Sequence, residues 1–215
     1  MKDRSSKKIA RILARYASGI EEIWLDVDGV MTRQGGLAIY DVSDEHTLFE
    51  RRDGIQSIRL VPCDECGQPT PNVVEYVAGL TSEPIMEGYC FDTRDGHVIE
   101  TAVKAGIPVF FISGRNSPAV LKRAINLGAI PFLGEKDKVA TIERFTKCSW
   151  SQILFIGDGL QDVGALERAG ISACPIDGAP EALSVAKWIT KTKGGEGVVE
   201  EVFRVFLGYR GIALQ

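Results

Sequence analysis

The run Ile23-Trp24-Leu25-Asp26-Val27-Asp28-Gly29-Val30-Met31-Thr32 constrains this chain more than any other stretch. Apolar residues lead into two carboxylates spaced i and i+2, and Gly29 follows at once, so a buried strand delivers both acids to its carboxyl end. Residues two apart on a strand share a side, and the strand ends as the pair arrives, which crowds two negative charges into one small volume. Open α/β sheets hold ligands at that edge. A bound cation, most simply Mg²⁺ with its preference for oxygen ligands, would supply the counter-charge and keep Asp26 ionised as a nucleophile. The competing reading is a strand running into an ordinary Asp-Gly turn.

The rest of the chain reads as a parallel sheet covered by helices. Residues 5–17 place Ile9, Ile12, Leu13 and Tyr16 at helical spacing. Strands are expected at 108–112, 130–133, 153–156, 171–174 and 188–190, alternating with helices at 98–104, 117–128, 136–147, 160–169, 180–186 and 198–207. Ser117-Pro118 and Gly128 mark the ends of one helix as a capping hydroxyl, a first-turn proline and a terminating glycine. Strands alternating with helices predict an α/β fold with a doubly wound parallel sheet. Between the first strand and this regular text lies an excursion. Leu37–Tyr40 and Thr47–Glu50 read there as hairpin strands, and prolines and glycines carry irregular chain to about Cys90. The expected organisation is a core of residues 1–32 and 91–215 with an inserted flap or small cap at 33–90, acting as lid and specificity element.

Composition narrows the function. In 215 residues, 25 Lys and Arg against 29 Asp and Glu leave a formal charge of -4, without the basic excess that nucleic-acid binding uses. No apolar run reaches membrane-spanning length, and the basic N-terminus lacks the apolar core of a signal peptide. Five cysteines, odd in number and scattered, make no disulfide framework. These features predict a cytoplasmic protein with no nucleic-acid or membrane partner. Cys148 and Cys174 are expected as small buried hydrophobes, and Trp24, Trp150 and Trp188 as packing residues.

Strand ends supply the chemistry. Asp26 and Asp28 follow the first strand, Ser113-Gly114-Arg115 the second, and Asp158 with Asp162 a later one, while Lys138 opens an intervening helix. This set suits attack on a phosphate ester. Asp26 would form an aspartyl-phosphate. Asp28 would protonate the leaving alkoxide and then take a proton from water. Mg²⁺ would be held by Asp26, Asp158 and the backbone carbonyl of Asp28. Ser113, the backbone N–H of Gly114 and Lys138 are candidate donors, Arg115 a candidate substrate contact, and Asp162 a candidate orienting acid behind the metal ligands. In the insert, Cys63-Asp64-Glu65-Cys66-Gly67 resembles half of a zinc knuckle. A closed Zn²⁺ site needs two more ligands, for which Cys90, His46 and His97 are at hand, and loop cysteines without metal are the competing reading.

Asp26-Val27-Asp28-Gly29-Val30-Met31-Thr32, Ile112-Ser113-Gly114-Arg115, Lys138 and Gly157-Asp158-Gly159-Leu160-Gln161-Asp162 resemble, in order, the motifs of the haloacid dehalogenase superfamily. Within it the chain is similar to the small-cap group of 3-deoxy-manno-octulosonate 8-phosphate phosphatases and the phosphatase-like domain of some acylneuraminate cytidylyltransferases. The resemblance implies a Rossmann-like sheet, Mg²⁺-dependent phosphatase activity on a sugar or sugar-acid phosphate, and a homotetramer whose flaps close neighbouring sites. Of the two Arg-Asp-Gly runs, the resemblance assigns the second, Arg94-Asp95-Gly96, to the family's helix start. Glu196 and Glu200 stand where that group carries arginines, which implies a substrate other than its exact sugar acid. The alternatives are a phosphomutase on the same scaffold and a weakly catalytic domain whose insert binds a partner protein.

Overall fold

A single buried strand, β1 (Glu22–Asp26), is the centre of the architecture. The structure, a computed structural model, describes residues 2–32, 37–40, 51–52, 55–56 and 84–214. Helix α1 (Lys2–Tyr16) precedes β1, and the short strands β2 (Leu37–Tyr40), β3 (Arg51–Arg52), β4 (Ile55–Gln56) and β5 (Pro84–Gly88) follow it. Then come α2 (Thr93–Lys104), β6 (Val109–Ser113), α3 (Pro118–Leu127), β7 (Ile130–Leu133), α4 (Lys138–Phe145) and β8 (Ile153–Ile156). The chain continues through α5 (Val163–Arg168), β9 (Ile171–Cys174), α6 (Pro180–Val185), β10 (Trp188–Ile189) and α7 (Val198–Tyr209).

Six strands form a parallel sheet in the order β10-β9-β8-β1-β6-β7. The chain steps outward from β1 through β6 and β7, then restarts on the other side of β1 with β8. That reversal opens a crevice at the carboxyl ends of β1 and β8, the place where such sheets bind ligands.

Side-chain alternation along β1 divides the core. Ile23 and Leu25 face a layer built from α1, α2, α3 and α7, including Leu13, Ile99, Val120 and Phe203. Trp24 faces the layer of α4, α5 and α6, with Ile142, Leu166 and Ala182. It stacks on Phe110 at 4.2 Å between ring centroids, and full burial of each such large side chain contributes roughly 1.5–3 kcal/mol. Asp26 shares the side of Trp24, so strand geometry alone directs it toward α4, whose first residue is Lys138.

The chain divides into two compact units, Met1–Gly36 with Tyr89–Gln215, and Leu37–Gly88. In the second unit, β2 pairs antiparallel with β5, Leu37 opposite Gly88, and β3 pairs antiparallel with β4. Thr47–Glu50, expected as the strand beside Leu37–Tyr40, lies outside the described residues; the partner of Leu37–Tyr40 is Pro84–Gly88 from the stretch read as irregular. Cys63, Cys66 and His46 also lie outside the described residues, while Cys90 is a free, exposed cysteine. No helix among the described residues is long and apolar enough to cross a membrane.

Other expectations need local correction. Helix α2 starts at Thr93, earlier than the apolar periodicity showed, because the Asp92 carboxylate caps it by accepting from the Arg94 amide at 2.8 Å. The helix expected over 160–169 is a short 3₁₀ turn, Leu160–Asp162, followed by α5. Cys174 is buried as expected, whereas Cys148 is half-buried beside Thr146.

Candidate active site

Lys138 ties the site together. It is the first residue of α4, which is capped by Asp137 accepting from the Ala140 amide at 3.0 Å. Its side chain is wholly buried, with Nζ 2.7 Å from Asp26 Oδ1 and 2.6 Å from Asp162 Oδ1. Burial opposes the charge on Lys138, but Asp26 and Asp162 outweigh it and hold its pKa above the ordinary value. The ammonium therefore stays protonated between two carboxylates.

Asp162 is fully engaged. Its Oδ2 accepts from the backbone N–H of Asp158 at 3.0 Å and of Gly159 at 2.9 Å, while Oδ1 accepts from Lys138 at 2.6 Å. These bonds draw residues 158–162 into the tight turn that replaces the expected first helical turn, because a side chain that satisfies nearby amides competes with helix geometry. They also fix where the Asp158 backbone lies relative to Lys138.

Asp26 is different. It is buried at the end of β1, and its Oδ2 has no hydrogen-bond partner among the described residues. Carboxylate oxygens of Asp26, Asp158 and Asp162 lie within 4.8 Å of one another. Burial, followed by the charges of Asp162 and Asp158, raises the Asp26 pKa well above the ordinary carboxylate value, with Lys138 acting in the opposite direction. Lys138 offsets only one of three buried acids. An all-oxygen set with an orphaned buried carboxylate oxygen fits a hard divalent cation, which would favour the charged form of Asp26.

The turn after β1 is held tightly against this cluster. Gly29 has φ +83°, and a Cβ there would overlap the Asp158 carboxylate. Only glycine meets both the left-handed backbone and the close approach. Asp28 stands at the rim, its side chain 32% exposed, with Arg115 Nη1 at 3.8 Å from Oδ1. Ser113 Oγ, at the end of β6, donates to Asp28 Oδ2 at 3.4 Å and accepts from the Arg115 amide at 3.1 Å. Gly114 links these two residues in the turn between β6 and α3.

The structure thus brings Asp26, Asp28, Ser113, Gly114, Arg115, Lys138, Asp158 and Asp162 to one sheet edge. Sequence reasoning weighed the segment from Gly194 only for its glutamates in place of arginines and missed that its glycines pack on the turn after β1. Gly195 N donates to Val30 O at 2.9 Å, Gly194 N donates to Asp177 Oδ1 at 2.9 Å, and a Cβ on Gly194 would overlap the Gly29 carbonyl. Paired glycines before a helix were the available signal. Glu200, which with Glu196 stands where the related group carries arginines, accepts from Arg204 Nε at 2.7 Å along α7.

Comparison with known proteins agrees with this geometry. Residues 136–202 match the family model of haloacid dehalogenase-like hydrolases. The chain is 30% identical over 155 residues to the 3-deoxy-D-manno-octulosonate 8-phosphate phosphatase of Yersinia pestis, covering 70% of this chain and 80% of that protein. A solved structure of the Yersinia pestis phosphatase matches with TM-score 0.66 at 26% identity, over 93% of this chain and 86% of that one. The same fold occurs in the Moraxella catarrhalis phosphatase, solved with magnesium ion, phosphate ion and KDO, at TM-score 0.68 and 24% identity over 93% and 91% of the two chains. An acid-rich crevice at the β1–β8 switch point, a buried lysine between two of its acids, and this kinship converge: the chain belongs to the haloacid dehalogenase-like hydrolases and is a phosphatase of phosphate monoesters.

Proposed function

We propose that this phosphatase acts on a small phosphorylated sugar or sugar acid, with Mg²⁺ as cofactor and Asp26 as nucleophile. The observation that carries this reading is the asymmetry of the Asp26 carboxylate, one oxygen gripped by Lys138 and the other without a partner among the described residues. Asp26, Asp158 and the backbone carbonyl of Asp28 are the groups to hold the metal. Asp162 is not among them, because both its oxygens already accept hydrogen bonds. When bound, Mg²⁺ offsets the excess acid charge and stabilises negative charge on the phosphoryl oxygens.

In the first step, an Asp26 oxygen bonds to phosphorus as the ester P–O bond breaks, and Asp28 gives its proton to the departing alkoxide. In the second, Asp28 takes a proton from water as that water attacks phosphorus. The Asp26–phosphorus bond breaks, inorganic phosphate leaves, and the Asp26 carboxylate is restored. The Ser113 hydroxyl and the Gly114 amide would donate to phosphoryl oxygens, and Lys138 would hold Asp26 in place without moving a proton. Arg115 at the rim supplies positive charge for an anionic substrate. The substrate class rests on kinship with phosphatases of 3-deoxy-D-manno-octulosonate 8-phosphate.

A phosphate-release screen over phosphorylated sugars, including 8- and 9-phosphorylated sugar acids, tests the reading. Mg²⁺-dependent release from at least one sugar or sugar-acid phosphate is expected. Release confined to other phosphate esters would overturn the substrate class.

A further inference from the structure

Helix α7 is capped from a distance. Gly197 occupies its N-cap position with φ +95° and has no side chain to accept from the first-turn amides. The acceptor comes from another helix: Asp95 Oδ1, in the first turn of α2, accepts from the Glu200 amide at 2.8 Å. Asp95 is 1% exposed, so a buried carboxylate in the first turn of α2 caps α7 through one oxygen, where both dipoles favour negative charge, while its Oδ2 has no hydrogen-bond partner among the described residues. Beside it, Arg94 is anchored on Asp92 and donates through Nη2 to the Glu196 carbonyl at 2.8 Å.

The segment held by these two residues reaches the chemistry directly. Gly195 donates to the Val30 carbonyl at 2.9 Å, and Gly194 packs so closely on Gly29 that a Cβ would overlap its carbonyl. Gly29 in turn lies against the Asp158 carboxylate. A continuous path of hydrogen bonds and close contacts therefore joins Asp95, the Glu200 amide, residues 194–197, the Gly29-Val30 turn and the site.

We propose that Asp95 is a positioning residue for the phosphatase reaction: by capping α7 from α2 it presses residues 194–197 onto the Gly29-Val30 turn and so keeps Asp28 and Asp158 in register. The part of this that concerns catalysis rests on the function proposed above; the brace itself does not. Asp95→Asn keeps an acceptor oxygen for the Glu200 amide, whereas Asp95→Ala removes it. Arg94→Ala removes the second tie from a side chain that is 58% exposed, and at so exposed a position the fold is expected to stay intact.

The test combines steady-state phosphate release with amide hydrogen exchange at Gly195 and Glu200. Asp95→Ala is expected to lower kcat about tenfold with KM within about threefold of wild type and to speed both exchanges, since misplacement of reacting groups acts on turnover more than on binding. Asp95→Asn should restore kcat and exchange, and Arg94→Ala should shift both in the direction of Asp95→Ala, by less. The proposal is overturned if Asp95→Asn is as impaired as Asp95→Ala, or if the loss falls on KM alone. If Asp95→Ala does not fold, Arg94→Ala with unchanged kcat and unchanged Gly195 exchange overturns it equally. A wild type that releases no phosphate would end the catalytic role, while the exchange measurements would still report whether the brace exists.

Discussion

The Lys138 ammonium lies 2.7 Å from Asp26 Oδ1, with side-chain exposures of 0% and 2%. Breaking a buried ion pair by removing one partner typically costs about 3–5 kcal/mol, because the remaining charge is stranded. Lys138→Met should therefore lower stability by about that amount and abolish phosphate release. Adding Asp162→Asn to Lys138→Met should recover part of the stability but none of the activity. Urea unfolding and phosphate release on wild type and these two variants check this, and full stability in Lys138→Met would contradict it.

Asp28 stands at the rim and is expected to contribute to chemistry more than to folding. Asp28→Asn should unfold like wild type while losing about 10²–10⁴-fold of its turnover on alkyl phosphates, the usual range for a general acid–base group. With p-nitrophenyl phosphate, whose leaving group needs no proton, the variant should give a burst of p-nitrophenolate and then stall, because no base activates water. Stopped-flow absorbance reads the burst. Its absence, with activity lost equally on both esters, would refute this role for Asp28.

As a proposed metal ligand, Asp158 should tie metal binding to stability. A ligand that binds only the folded state stabilises it by about 2.7 kcal/mol at a hundredfold excess over its Kd. Adding Mg²⁺ should raise the thermal midpoint of the metal-stripped wild type, and chelation should reverse it. Asp158→Asn should respond weakly or not at all. An equal rise in wild type and Asp158→Asn would remove Asp158 from the metal site.

Burial pushes the Asp95 carboxyl up to about 7; the Glu200 amide opposes this, Asp92 adds to it, Arg94 opposes it, and the Glu200 charge adds. A carboxyl whose folded pKa is raised contributes stability that is complete below its unfolded pKa and is lost as pH rises through the folded value. Wild type should therefore lose stability relative to Asp95→Asn between about pH 4 and pH 8, by roughly 2–4 kcal/mol in total. Urea unfolding of both proteins at pH 5 and pH 8 measures the difference. Parallel pH profiles would show that Asp95 does not titrate as described.

Local chemistry was legible in the sequence, and long-range pairing was not. The α3 boundaries follow from Ser117, Pro118 and Gly128, whose capping effects act within a few residues, and the structure ends the helix on Gly128 with φ +72°. The β1 run announced its two acids because an apolar strand that ends on carboxylates two residues apart is a local pattern, and strand geometry alone puts both at its carboxyl end. By contrast, β5 was hidden, since Pro84 and a short run say nothing of a partner at Leu37. The turn at Leu160–Asp162 depends on Asp162 capturing two amides, and the cap on α7 depends on Asp95, more than a hundred positions away. Such contacts exist only once the sheet has brought its connections together.

The central claim is that Asp26 carries the phosphoryl group during turnover. Borohydride added to the enzyme turning over a phosphate ester with Mg²⁺ reduces an aspartyl-phosphate to homoserine, a loss of mass that peptide mass spectrometry places on one residue. The account predicts that conversion at Asp26, dependent on substrate and absent from Asp26→Asn, which should release no phosphate. Turnover with Asp26 unmodified, or undiminished phosphate release by Asp26→Asn, would contradict it.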